Sequence, residues 1–183
     1  MAGWRGHSIW RRFALAAAFC LMENGAHWQV ASAAGLSPEE VKVSMLYNFP
    51  KFVDWPPYAS PEMVLCVLGS DPLGSVLDSL NGKPLKDKTL SVRRIASATQ
   101  SRICHVLFVP ASESGDLPSL LKILRDMPVL TVSDMEGAAA QGIMIEIVVV
   151  EQRRLGFKIN LKAARQSRLE ISSQLLKLAQ TIY

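Results

Sequence analysis

A three-layer α/β fold, Rossmann-like in its layering, is predicted by three features of this 183-residue chain. Short, almost wholly apolar runs recur at 63–68, 104–109 and 129–132, each of strand length and none alternating as a half-exposed strand would. Capped or amphipathic helical stretches separate them, and strands alternating with helices build a parallel sheet covered on both faces. The stretches 143–150 and 155–159 flank a polar turn at 151–154, which adds an antiparallel hairpin at one edge. The expected architecture is a mostly parallel central sheet flanked by helices, in one domain spanning 34–183.

The N-terminal residues stand apart from that domain. Arg5, Arg11 and Arg12 precede an apolar run at 13–22, and the small residues Val30-Ala31-Ser32-Ala33-Ala34 follow. Basic, then apolar, then Ala-x-Ala is the order of a secretory signal peptide. The apolar run is about ten residues, half of what crosses a bilayer. Residues 1–33 are expected to be removed after Ala33 and the remainder exported. Cys20 follows the bulky Phe19, and Ala17 stands where a lipoprotein signal wants leucine. The residues around Arg11 and Arg12 match twin-arginine export weakly. Removal takes Arg5, Arg11, Arg12 and Glu23, leaving 17 Lys and Arg against 15 acids, a net of +2 rather than +4. No stretch concentrates basic residues as a nucleic-acid footprint does, so nucleic acid is not an expected partner.

Ser37-Pro38-Glu39-Glu40 writes a helix start: a capping box with proline at the first helical position. Val41, Met45, Phe49 and Phe52 follow at roughly helical spacing. Pro50 is expected to kink or loosen that helix, and Trp55-Pro56-Pro57 to end it. After the strand at 63–68, Asp71 and Pro72 are expected to open a helix running to Leu80, and Asn81-Gly82 to turn the chain. Residues 89–93 alternate as a strand, and 104–109 form the next apolar one. Asp116-Leu117-Pro118 opens a helix through Arg125. Ser133-Asp134 closes the strand at 129–132 and caps a short helix through Gln141, which Gly142 breaks. Asn160 is expected to cap another helix. A last amphipathic helix is expected over 172–182, with Leu175, Leu176, Leu178 and Ala179 packing inward.

Catalysis finds little support. The exported chain keeps one histidine, His105, beside Cys104, and neighbours on a strand point to opposite faces, against a Cys–His dyad. No second histidine completes a triad, and Glu39-Glu40 belongs to a helix first turn. Two cysteines and one histidine match no zinc spacing, so neither a metal nor a cofactor is expected. The loop from Gly69 to Gly74 joins a strand to a helix but lacks the phosphate-binding glycine patterns. A small-ligand site at the carboxyl ends of the strands, near Asp71, Ser133 and Asp134, is the alternative to a protein-binding role, making the chain a ligand sensor or carrier. Cys66 and Cys104 either form a disulfide, as an oxidising compartment and an even count favour, or are two buried free thiols. Tyr47, Phe49, Phe52, Trp55 and Tyr58 crowd one short segment. They are expected to pack partly on the sheet and partly to form an interaction surface. Arg165 and Arg168 either contact an anionic or acidic partner or lie on a solvated face.

Met45-Leu46-Tyr47-Asn48-Phe49-Pro50-Lys51-Phe52-Val53-Asp54-Trp55-Pro56 resembles the opening motif of YfiR-type periplasmic proteins. Cys66-Val67-Leu68-Gly69-Ser70-Asp71-Pro72-Leu73-Gly74 is similar to their second motif. Asn81-Gly82-Lys83, Cys104-His105-Val106-Leu107-Phe108, Leu130-Thr131-Val132-Ser133-Asp134, Phe157-Lys158-Ile159-Asn160 and 171–179 continue the resemblance in order. It implies a non-catalytic periplasmic repressor, often a homodimer. Such a protein binds the periplasmic part of an inner-membrane diguanylate cyclase of the YfiN type, lowering cyclic di-GMP and biofilm formation. An outer-membrane lipoprotein that sequesters the repressor is a further implied partner. The family's cysteine bond maps onto Cys66 and Cys104. Tyr47, Phe49, Phe52, Trp55, Arg165 and Arg168 are the expected partner-binding residues. Two departures stand out: Pro50 replaces a small helix former, and Gln141-Gly142-Ile143-Met144 replaces a double glycine. A histidine kinase is another possible target of such a regulator.

Overall fold

In a computed structural model, which describes residues 35–58, 60–151 and 154–183, the first helix α1 (Pro38–Asn48) starts at the capping box. The Glu40 amide donates to Ser37 Oγ at 3.1 Å, and the Ser37 amide donates to Glu40 Oε2 at 2.7 Å. At Pro50 the α-helix has already given way to a 3-10 turn, Phe49–Phe52. The expected signal peptide and its cut after Ala33 lie outside the described residues, as does the middle of the turn expected at 151–154.

Among the described residues, nine short strands follow from the apolar runs and their neighbours. They are β1 (Val53–Asp54), β2 (Glu62–Leu68), β3 (Pro84–Leu85), β4 (Lys88–Ile95), β5 (Val106–Val109), β6 (Leu130–Ser133), β7 (Ile145–Val149), β8 (Leu155–Ile159) and β9 (Glu170–Ile171). Seven make one sheet in the order β3-β4-β2-β5-β6-β7-β8. The five central strands run parallel, while β3 and β8 are antiparallel to their neighbours, the latter closing the expected hairpin. β1 and β9 form a separate antiparallel pair, Val53 opposite Ile171 and Asp54 opposite Glu170.

Because side chains alternate across a strand, the buried runs feed both faces. Met63, Leu65, Val67, Val106 and Phe108 meet α1, α2 (Gly74–Asp78), α5 (Leu161–Gln166) and α6 (Ser173–Leu176) on one side. Val64, Cys66, Leu68, Leu107 and Val109 meet α3 (Leu117–Leu124) and α4 (Ala138–Gln141) on the other. This is the three-layer architecture expected from the sequence. Among the described residues no helix is long and apolar enough to cross a membrane.

Three helices are shorter than expected. Ser133-Asp134 does not cap α4, which begins only at Ala138 behind Gly137, because Ser133 Oγ accepts from Met135 N and Asp134 from Lys42 and Ala111 N. In the other two a stronger claim on the backbone wins. Asp71 Oδ1 accepts from the amides of Leu73 and Gly74 at 2.8 and 3.1 Å, holding the chain in a turn, so α2 begins only at Gly74. The last helix ends at Leu176 because β8 needs partners on its outer edge. Phe157 accepts from Gln180 N at 2.8 Å, and Ile159 exchanges bonds with Thr181 and Tyr183 at 2.9 and 2.8 Å. Residues 180–183 therefore run alongside β8 in parallel, with Ile182 bridged to Ile159. Leu178, expected to pack inward, is 64% exposed.

Candidate partner-binding surface

α1 carries two apolar stripes. Val43, Leu46 and Phe49 are buried against the sheet, and Phe49 meets Phe157 edge-to-face at 5.1 Å. The stripe read from the sequence, Val41, Met45, Phe49 and Phe52, instead walls a groove of about 220 Å³ that Leu175 and Leu178 of the C-terminal segment complete. Leu36 and Leu178 form its exposed lips, at 69% and 64% exposure. Phe49 is only 3% exposed and serves as the groove's floor. Leu36 precedes the first helix and carries no periodic signal, while Leu178 was expected to pack inward on a last helix that in fact ends at Leu176.

The other expected contact residues are placed around this groove rather than in it. Tyr47 donates its hydroxyl to Pro84 O at 2.7 Å and carries Lys51 over its ring at 3.8 Å, which ties it to the β3 turn. Trp55 packs partly buried against the core, and its Nε1 and the Tyr58 hydroxyl are buried without a hydrogen-bond partner among the described residues. Arg165 is exposed on the last turn of α5. Arg168 holds a left-handed backbone, φ +59°, and donates to Asp126 O at 3.1 Å. The small sheet joins the two regions: β9 pairs with β1, and Ser172 N donates to Phe52 O at 2.8 Å. The aromatic turn and the segment bearing Arg168 are thus fastened together.

Cys66 on β2 and Cys104 just before β5 are bonded as a disulfide, with Cα atoms 5.8 Å apart. Next to it, His105 Nδ1 accepts from Val64 N at 3.0 Å, so the histidine is neutral with its proton on Nε2. Burial, then the nearby Lys88 charge, push its pKa below the usual value. Tyr58 stacks on His105 at 4.4 Å, and Lys88 lies 4.2 Å from the Tyr58 ring centre. Burial, reinforced by Asp87, pushes the Tyr58 hydroxyl up to about 12. His105 is thus a structural residue whose acceptor nitrogen pairs a β2 amide.

The carboxyl ends of the strands are closed by internal contacts. Arg94 pairs with Asp71 and Asp78, each at 2.7 Å. Ser133 is buried and accepts from Met135 N at 3.0 Å. Asp134 accepts from Lys42 at 2.6 Å and from Ala111 N at 2.9 Å, pinning α1 to the end of β6. Glu113 covers Gly69, where a Cβ would overlap its carboxylate. Asp71, Ser133 and Asp134 therefore do not converge on one open pocket. Glu146 is the one acid within the apolar run 143–150. It is fully buried and accepts from the amides of Gly137 and Ala139 and from Lys158.

A family model described as YfiR/HmsC-like matches residues 39–180. No curated protein matches the chain. One solved structure, described as the crystal structure of the ABC domain in complex with L-Trp from Streptococcus pneumonia, superposes with a TM-score of 0.53 at 12% identity. The match covers 80% of this chain and 60% of that one, and it shows a shared fold alone.

Proposed function

The chain belongs to the YfiR/HmsC-like family, and on that premise we propose that it binds the periplasmic part of an inner-membrane diguanylate cyclase of the YfiN type and holds that cyclase inactive. The family is one of periplasmic regulators of diguanylate cyclases rather than of catalysts. The signal peptide delivers the protein, the restrained cyclase makes less cyclic di-GMP, and biofilm formation falls. A homodimer is the active form, and an outer-membrane lipoprotein is the competing partner that releases the cyclase.

The observation that carries this proposal is the apolar groove between α1 and α6, with Leu36 and Leu178 exposed at its lips and Phe52 in its wall. A repressor works by binding one state of its partner better than another. A tenfold population shift takes about 1.4 kcal/mol. At about 25 cal/mol per Å², roughly 60 Å² of apolar surface buried in one state only supplies it.

The test is co-purification of residues 34–183 with the periplasmic domain of a cyclase encoded beside it. A micromolar complex is expected, weakened about tenfold by Leu178→Asp. Arg165→Glu is expected to weaken it less, since rim charges act mainly on the rate of association. Both variants should keep the parent melting temperature, because both positions are exposed. No complex at micromolar concentration, with or without reductant, overturns the proposal.

A further inference from the structure

A cleft of about 550 Å³ opens where β6 and β7 begin, between the end of α3 and α5, and it shares no lining residue with the groove described above. Its volume falls within the usual range of small-molecule sites. Arg125, Asp126 and Lys162 bring charge to its walls, Thr131 and Ser167 bring hydroxyls, and Leu124 and Met144 are buried apolar lining. We propose that this cleft binds a phosphate monoester, the doubly charged group of a small phosphorylated molecule or of a lipid headgroup.

The charges set the sign of the ligand. Arg125 and Lys162 are exposed, and neither forms an ion pair among the described residues. Lys122, Arg165 and Arg168 flank them, exposed and equally without ion pairs among those residues. Asp126 is the one acid in the lining, and the Arg168 guanidinium donates to its backbone oxygen at 3.1 Å. That acid therefore stands beside a cation. Lys122 with Arg125, and Lys162 with Arg165, set like charges one helical turn apart, where they repel. Helix dipoles account for Lys122 and Arg165, which lie in last turns. They do not account for Lys162, in the first turn of α5, where a cation is disfavoured.

Hydrogen bonding and backbone geometry agree. Thr131 is 1% exposed; its hydroxyl accepts from Met144 N at 2.9 Å, and its proton has no acceptor among the described residues. Ser167 is 6% exposed and its hydroxyl has no hydrogen bond among those residues. Two buried hydroxyls and two unpaired cations thus offer donors to one cavity. A phosphate monoester brings nearly two charges and three acceptor oxygens to meet them, more than a carboxylate does. Asp126 and Arg168 each follow a helix cap and hold left-handed backbones, φ +63° and +59°, where glycine is usual. Charged side chains are kept there at a conformational cost.

Phenyl phosphate is the probe, titrated into residues 34–183 at low salt and followed by calorimetry and backbone NMR shifts. Saturable binding is expected, moving the Arg125, Thr131, Lys162 and Ser167 amides and weakening with added salt. Benzenesulfonate, with a single charge, should bind several-fold more weakly, and benzylammonium should not bind. Arg125→Gln and Lys162→Gln should each weaken phenyl phosphate by about tenfold. Arg168→Gly should weaken it without lowering the melting temperature, because glycine is at ease in a left-handed backbone. Flotation with phosphatidate vesicles separates the two sources. Capture that both glutamine variants abolish assigns the phosphate to a lipid, and binding of the soluble ester alone assigns it to a small molecule. No saturation by either form, equal binding of benzylammonium, or indifference to both glutamine variants overturns the proposal. None of these failures touches cyclase binding, which uses the other groove.

Discussion

Cys66 and Cys104 close a loop across a sequence separation of 38 residues and clamp β2 to the start of β5. Replacing both by serine should lower the unfolding free energy by roughly 4 kcal/mol in the chain-entropy model, read from urea midpoints, and reductant on the parent protein should reproduce the loss. His105 gives a pH signature. Its pKa is lowered from 6.5 in the folded chain, so the unfolded chain takes up its proton first. The stabilisation it confers is complete above pH 6.5 and is lost as the pH falls below that value toward the depressed folded pKa. Unfolding free energy measured across that window should decline with acidity, and His105→Gln should flatten the slope. The two cysteines were legible because compartment and count speak for a pair, although the free-thiol alternative needed coordinates to remove. Glu146 was not legible. Its three donors come from residues seven, nine and twelve positions away, and a lone acid in an apolar run carries no trace of them.

Three helix starts were legible from local signals, whereas Asp71 and Ser133-Asp134 hold turns or distant partners instead of capping. Ser37, Asn160 and Ser172 each cap as the sequence suggests, accepting from Glu40, Ala163 and Leu175 amides. Helix ends were less so. The run at 172–182 has the composition of a helix, but the outer edge of β8 sets its conformation from elsewhere in the chain. A similar limit applies to α1, whose sequence stripe marked the groove wall while Val43 and Leu46 did the packing. The two-residue strands β1, β3 and β9 are too short for any alternation to register. Deleting 180–183 removes the bonds to Phe157, Ile159 and Leu161. Four bonds at about 1 kcal/mol each should lower the melting temperature by roughly 8–16 °C. Concentration-dependent association in sedimentation should accompany the drop, because an uncovered strand edge recruits other strands.

At the scale of the whole molecule, β2 is the keystone. It is first in the sequence among the central strands, and it lies between β4 and β5. Buried on both faces and bonded on both edges, Leu65, Val67 and Phe108 should give the slowest amide exchange. The β1–β9 pair, with only two residues on each strand, should open first, and exchange at Val53 and Ile171 faster than at Val67 is the outcome to look for. The layer order was legible because buried parallel strands have no polar face to disguise them. The small sheet was not, since it joins residues separated by most of the chain. That joint has a temporal consequence. Position 53 finds its mate only when position 171 has been delivered, so a half-made polypeptide holds its hydrophobic turn with no strand to dock on. The groove beside α1 is completed last, because Leu175 and Leu178 line its far side.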